Sequence, residues 1–123
     1  RRDMKNFLAI TKALSDVSRV RALMALKDGE LCLCQLIELL ELSPSTVSKH
    51  MSLLLQADLL EKRKEGRWHF YRLASKDAPI EVKNALKWMI QSLAETAVLQ
   101  DDSKKLATLK KLDLEELCAC YRN

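Results

Sequence analysis

Glycine and proline are scarce in this chain of 123 residues, which contains two of each. Charged residues make up 31% and hydrophobic residues 48%, a combination that favours a helical protein with enough apolar side chains for a core. No apolar run approaches the roughly 20 residues of a membrane span, and no secretory hydrophobic segment is present. We therefore expect one mainly helical cytoplasmic domain over residues 1–123. The chain begins at Arg1 rather than methionine, which leaves room for a missing N-terminal extension.

Positive charge is concentrated in one quarter of the chain. The formal net charge is +4, and residues 43–73 carry six basic against three acidic side chains, so this segment holds most of the excess. A local excess of lysine and arginine is typical of a surface that binds a polyanion such as nucleic acid.

The four cysteines form two pairs of identical spacing, Cys32 with Cys34 and Cys118 with Cys120. Lysine-rich helices without a signal segment indicate a reducing compartment. Paired thiols in such a compartment bind metals or carry out redox chemistry more often than they form structural disulfides.

Apolar residues recur at helical spacing through most of the chain. Asp16 can cap a second helix, and Gly29 can end it. The predicted helices include an N-terminal one over about 3–14, a long one over about 79–97 and a C-terminal one over about 101–121.

Residues 31–57 are predicted to form a helix-turn-helix. A third helix runs from about Leu31 to Leu42, and a fourth begins at Pro44, where Ser43 can serve as its N-cap. Short polar donors and one lysine on the exposed side of the fourth helix suit entry into a DNA major groove. These candidate DNA-binding residues are Ser45, Thr46, Ser48 and Lys49.

Residues 60–73 are predicted to form a β-hairpin, because Gly66 can take the positive φ of a turn before a strand-prone aromatic segment. A basic hairpin directly after a helix-turn-helix indicates a wing that contacts DNA. The predicted order is α1-α2-α3-α4-β-β-α5-α6, and the candidate DNA contacts at the wing tip are Arg63, Lys64 and Arg67, with Lys62 beside them.

Cys32 and Cys34 have an unusual spacing for a helix. Residues at i and i+2 lie about 200° apart around a helix, so two sulfurs there diverge. A ligand that held both would have to distort the first turn of the third helix.

Three segments together resemble the ArsR/SmtB family of winged helix-turn-helix metalloregulatory repressors. They are "ELCLCQL", "LSPSTVSKHMSLLLQADLL" and "KRKEGRWHFYRL", and the similarity extends over about residues 5–95. Within the family, the Cys-x-Cys at the start of the third helix resembles the arsenite-sensing branch, whose motif is E-L-C-V-C-D-L.

The resemblance implies a cytoplasmic homodimer, not an enzyme, that holds double-stranded operator DNA until As(III) or Sb(III) binds Cys32 and Cys34. Soft trivalent arsenic prefers thiolates, and a helix N-terminus is expected to lower the pKa of both thiols. Distortion of the first turn of the third helix would reposition the fourth helix, which is the recognition helix of the family. The family's Ser-x-His pattern adds His50 to the DNA contacts, whereas His69 is expected to be structural.

The chain departs from the arsenite branch at Ile37, where the best-known version has a third cysteine. Two thiols could bind a monoalkylated trivalent arsenical, or a third ligand could come from elsewhere. Cys118 or Cys120 could supply it, form a separate site, or have no regulatory part. The N-terminal cysteines of cadmium and lead sensors are missing from residues 1–31, and the α5 histidines of zinc sensors are missing from residues 79–96.

Three other functions compete with this hypothesis. A redox-responsive repressor of the same fold would use oxidation of the same cysteines. A thiol enzyme would need a Cys-x-x-Cys motif in a βαβ unit, which this chain lacks. A helical domain that binds only protein is disfavoured, because the basic quarter coincides with the predicted wing.

Overall fold

A computed structural model describes residues 2–119 of the chain, with side chains from residue 4 onward. It confirms the mainly helical fold with a small antiparallel sheet. The elements in chain order are α1 (Arg2–Ala13), α2 (Val17–Ala25), β1 (Leu31–Cys32), α3 (Leu33–Leu40), α4 (Pro44–Gln56), β2 (Leu60–Glu65), β3 (Trp68–Leu73), α5 (Ile80–Leu93), α6 (Ala97–Leu109) and α7 (Leu114–Ala119). A short 3-10 turn, Leu26–Asp28, follows α2.

Three elements differ from the sequence-based expectation. α3 begins at Leu33 rather than Leu31, because residues 31 and 32 pair with β3 as a short strand. α5 ends at Leu93 rather than residue 97. The single C-terminal helix expected over 101–121 is two helices, since the chain turns after Leu109 and restarts at Leu114, where the Asp113 carboxylate accepts from the Glu115 N–H.

The sheet has the strand order β1-β3-β2, and both pairings are antiparallel. β2 and β3 form the wing, in which Arg63 lies opposite Phe70. Their turn contains Gly66 at φ 62°, a left-handed conformation that glycine adopts without steric cost. β1 attaches the start of α3 to this wing through the pairing of Cys32 with Phe70.

The core lies between α2, α3, α4 and the base of the sheet. Its largest fully buried side chains are Leu23, Leu26, Leu31, Leu36, Leu39, Met51, Leu54 and Leu59. The N-terminus of α4 is formed as expected: Pro44 occupies the first turn, and the Ser43 hydroxyl accepts a hydrogen bond from the Thr46 N–H at 3.3 Å.

An ion pair fastens α6 to the helix-turn-helix. The Arg21 guanidinium donates two hydrogen bonds to the Asp102 carboxylate, at 2.8 and 2.9 Å, and a third to the Leu39 carbonyl at 3.3 Å. Lys105 on the next turn of α6 pairs with Glu41, the residue that ends α3. α7 follows α6 after a turn and itself packs against α3.

We expect Asp102→Asn to lower the free energy of unfolding by about 1–3 kcal/mol, because it leaves the partly buried Arg21 without its anionic partner. Urea denaturation measures the change. Asp101→Asn is the matched control, since it removes the same charge from an exposed neighbouring position of α6. Equal losses in the two variants would contradict a specific role for the Arg21–Asp102 pair.

Candidate thiol site and nucleic-acid interface

Cys32 stands before the first turn of α3 rather than within it. Its backbone is extended, with φ −77° and ψ 150°, and it occupies the N-cap position of the helix. Its N–H donates to the Gln35 side-chain oxygen at 2.8 Å, which satisfies a buried donor at the helix start. Because Cys32 lies outside the helix, the divergence expected for an i, i+2 pair on a regular helix does not apply.

Three cysteines come together at this point. Cys34, in the first turn of α3, forms a disulfide with Cys118 of α7, 84 residues further along the chain. The Cys32 sulfur is 3.6 Å from the Cys118 sulfur. The sulfurs of Cys32, Cys34 and Cys118 all lie within 4.8 Å of one another. We refer to these three residues as the thiol cluster; Cys120 lies outside the described residues.

The thiol cluster is enclosed by apolar side chains. All three cysteines are buried, and they pack with Phe70 of β3 and Leu117 of α7, while Trp68 and Leu114 cover the same group. A disulfide across an 84-residue interval needs no strand or helix to be displaced, since α3, α7 and β3 already meet here.

Burial raises the pKa of the Cys32 thiol above its ordinary value, even though hydrogen bonds from the backbone N–H groups of Leu33 and Cys34 act in the opposite direction. The expectation of a thiol activated by the helix N-terminus is therefore wrong for Cys32. The cost of placing a charge in this apolar surrounding exceeds the stabilisation that the helix start provides.

Once the Cys34–Cys118 disulfide is reduced, the thiol cluster offers three soft sulfur ligands, and among residues 4–119 no carboxylate or imidazole belongs to the same group. Soft thiolates select soft ions, and an ion bound by three sulfurs at this spacing would not need to unwind α3. The sequence left the role of Cys118 open among three alternatives. The structure brings Cys118 to Cys32 and Cys34, while Ile37 lines the neighbouring wall.

Aromatic residues of β3 connect the thiol cluster to the wing, and Phe70 lies at the centre of this contact. Phe70 pairs with Cys32 across the sheet, and the Arg63 guanidinium lies 4.5 Å from the centre of the Phe70 ring. Arg63 also donates to both carboxylate oxygens of Glu30, at 2.7 and 2.8 Å, just before β1. Cys32 of β1 and Arg63 of the wing therefore both contact Phe70.

The predicted DNA contacts on α4 differ in accessibility. Ser45, Thr46, Ser48 and Lys49 are all exposed on one side of the helix. His50 instead faces α2, where its Nδ1 lies 3.1 Å from an Arg19 nitrogen and its Nε2 lies 3.9 Å from the Asp16 carboxylate.

Arg19 joins three helices at His50. Its guanidinium also donates to the carbonyls of Lys12 and Ala13 at the end of α1, at 3.0 and 2.9 Å. Because a guanidinium can only donate, His50 Nδ1 accepts and its Nε2 carries the proton. This network ties α4 to α2 and to the end of α1.

The wing tip carries basic side chains in two environments. Arg63 is held by Glu30 and Glu65, so its charge is already paired. Lys64 and Arg67 are exposed, and neither takes part in an ion pair within residues 4–119. His69 is half-buried, and desolvation together with Lys62 and Lys64 lowers its pKa, which keeps the imidazole neutral at pH 7.

Sequence reasoning missed the residues that hold the site together. Gln35 caps the helix that carries Cys34, and Asp102 and Lys105 position the segment that leads to Cys118. Only Gln35 had a local signal, its place three residues after the N-cap.

Within the described part of the chain, no helix is long and apolar enough to cross a membrane.

Comparison with known proteins gives a consistent family. Residues 16–62 match the family described as "Bacterial regulatory protein, arsR family". The chain is 36% identical to the arsenic resistance transcriptional regulator ArsR1 of Pseudomonas putida, over 81% of this chain and 77% of that protein. It is 30% identical to the regulator ArsR2 of the same organism, over 90% of this chain and 95% of that protein. Among solved structures, HlyU from Vibrio cholerae is similar, with 30% identity, a TM-score of 0.64, and coverage of 76% of this chain and 97% of that one.

The raised pKa of Cys32 has a measurable consequence. In the disulfide form, we expect the alkylation rate of Cys32 by iodoacetamide to rise over a higher pH range than that of an ordinary cysteine, because only the thiolate reacts and burial delays its formation. Peptide-resolved mass spectrometry follows the rate at each pH. The same Cys32 peptide in guanidinium chloride is the control, and identical pH profiles in both states would contradict the assignment.

Proposed function

The chain belongs to the ArsR family of bacterial regulatory proteins, and we propose that it is a DNA-binding repressor released from its operator when As(III) or Sb(III) binds Cys32, Cys34 and Cys118. The observation that carries this proposal is the distance between the three sulfurs, all within 4.8 Å of one another in a buried, apolar surrounding.

A two-electron reductant first cleaves the Cys34–Cys118 disulfide to two thiols, and the ligand exchange that follows needs no oxidant or reductant. Arsenious acid exchanges its three hydroxyl groups for three cysteine sulfurs, and the three thiol protons leave with those hydroxyls as three waters. Each thiol loses its proton as its bond to arsenic forms, so the raised pKa of free Cys32 does not prevent binding. An apolar surrounding then protects the As–S bonds from water.

DNA binding is assigned to the exposed side of α4 together with the wing. Small hydroxyl side chains and Lys49 on α4 suit contacts with phosphates and base edges, while Lys64 and Arg67 are exposed on the wing. Arg63 and His50 are predicted contacts whose side chains have partners within the protein, so we assign them to positioning the wing and α4.

A homodimer accounts for the apolar surface of α1 and α5. Phe7 and Leu8 on α1 are 61% and 54% exposed, and Trp88 on α5 is 67% exposed. Large apolar side chains grouped on two neighbouring helices are typical of a subunit interface. Two-fold symmetry would place two copies of α4 and the wing on the two halves of an operator.

Two structural connections link the thiol cluster to the DNA-binding surface. Cys32 is joined to the wing through Phe70 and Arg63, and Cys34 lies on α3, which leads into α4. When three sulfurs bind one ion, Cys32 moves relative to Phe70 and the start of α3 moves relative to α4. A coupling of about 1–3 kcal/mol between the two sites would weaken DNA binding by about 5- to 150-fold.

A second candidate function is a redox-responsive repressor, which the Cys34–Cys118 disulfide favours. In that case a peroxide accepts two electrons from the two thiols. The S–S bond forms, the O–O bond breaks, and the thiol protons end in water and an alcohol or a second water. Oxidation would then act on the same connections to α4 and the wing.

We expect arsenite to release the reduced protein from its own promoter DNA, and Cys118→Ser to require at least about tenfold more arsenite, because it removes one of three ligands. Fluorescence anisotropy of labelled DNA under a phosphine reductant measures release. Cys120→Ser is the matched control, since it changes the neighbouring cysteine and should respond like the wild type.

The same titration separates the two candidate functions. If arsenite has no effect under the reductant while peroxide releases the DNA, and Cys118→Ser abolishes that release, the arsenic proposal is wrong and the redox function holds. If Cys120→Ser rather than Cys118→Ser loses the arsenite response, the ligand set is wrong.

We expect Lys49→Ala to weaken operator binding and to reduce the dependence of log affinity on log salt by about one for each protomer, because one phosphate contact is lost. Binding isotherms at several salt concentrations give the slope. Lys110→Ala removes an equal charge from the end of α6 and should leave the slope unchanged. An unchanged slope in Lys49→Ala would remove α4 from the proposed interface.

A further inference from the structure

A cavity of about 170 Å³ lies beside the thiol cluster and is bordered by all three of its cysteines. It lies between the start of α3, the start of α4 and the beginning of β3. The three-sulfur site proposed above does not use this space, since an ion bound by three sulfurs has no further group to place in it.

The cavity walls are mainly apolar. Leu33 and Ile37 of α3, Pro44 of α4 and Trp68 of β3 line them, with Arg67 at the rim. The imidazole of His69 also borders the space and is neutral at pH 7 because its pKa is lowered. Apolar and aromatic walls of this kind bind an aromatic ring through burial and through edge or face contacts with the indole.

The volume suits one aromatic ring. An apolar cavity of about 150 Å³ engineered into another protein binds benzene, so a space of 170 Å³ is large enough for a phenyl group. A single methyl group would leave most of this cavity unfilled and would bury much less apolar surface.

We infer that the cavity is a subsite for the organic substituent of an aryl-substituted trivalent arsenical, whose arsenic is held by two sulfurs of the thiol cluster. This inference rests on the proposed function and specifies its ligand class. An arylarsonous acid carries two hydroxyl groups and one carbon substituent. Two cysteine sulfurs replace the two hydroxyls, two waters leave with the thiol protons, and the As–C bond is retained.

The ring would contact the recognition helix directly. Pro44 is both a wall of the cavity and the first residue of α4, whose next residues are the proposed DNA contacts. A substituent seated against Pro44 therefore acts on α4 without relying on the path through Phe70 and the wing.

The test compares release of promoter DNA by arsenite, methylarsenite and phenylarsenite under a phosphine reductant, in a Cys120→Ser background. The measured quantity is the arsenical concentration that releases half of the DNA. We expect this concentration to be about tenfold lower, or lower still, for phenylarsenite than for methylarsenite, because the ring fills the cavity. Equal potency of the two organic arsenicals would overturn the inference.

Two variants at Leu33 separate the cavity from the sulfurs. Leu33 is half-buried at the cavity wall, so Leu33→Trp fills the space and Leu33→Ala enlarges it. Leu33→Trp should lose the preference for phenylarsenite over methylarsenite and keep its response to arsenite, whereas Leu33→Ala should keep the preference. A preference that persists in Leu33→Trp would overturn the inference.

Cys118→Ser provides an independent comparison. Two thiols remain in this variant and suffice for an aryl-substituted arsenical, so the phenylarsenite response should persist while the arsenite response falls. If the Cys120→Ser parent responds to arsenite but shows no phenyl preference, only the subsite is wrong. If it responds to neither arsenite nor the organic arsenicals, the proposed function is wrong as well.

Discussion

The contact of α7 with α3 and β3 is the constraint on which the thiol site depends. Without it, the described residues would bring no third sulfur to the two cysteines at the start of α3. α7 is six residues long and too short to hold its position alone, so its placement depends on α6. α6 in turn is fixed by Arg21–Asp102 and by the contact of Lys105 with the end of α3. The Arg21–Asp102 ion pair thus helps to place Cys118 beside the other two cysteines, although it does not contact them.

Local signals were sufficient to predict the two elements that we propose bind DNA. Ser43 and Pro44 mark the start of α4, and Gly66 marks the wing turn, because caps and turns depend on the residues that form them. Cys32 was misplaced in a helix, since its extended backbone comes from pairing with Phe70, 38 residues later. Cys118 could not be assigned for the same reason, and the break before α7 was missed because apolar spacing continues across it. The features that the sequence did not predict are those that depend on contacts between residues far apart in the chain.

The family pattern and the structure indicate different roles for His50. The pattern places it among the DNA contacts, whereas its ring is occupied by Arg19 and Asp16. Arg19 also caps the carbonyls that end α1, so one guanidinium connects the proposed dimer helix, α2 and the recognition helix. The orientation of the two recognition helices in a dimer would depend on this contact, even if the imidazole never touches DNA.

The 84-residue interval between Cys34 and Cys118 has a consequence for the lifetime of the protein. A covalent link between these positions, whether S–S or S–As–S, closes a ring that contains α4, the wing, α5 and α6. Closing a loop of this length removes conformational freedom from the unfolded chain that corresponds to about 4–5 kcal/mol. The form that has left the DNA would therefore resist unfolding and proteolysis better than the form that binds it. Signal termination would then require the link to be reversed chemically, since turnover of the released protein would be slow.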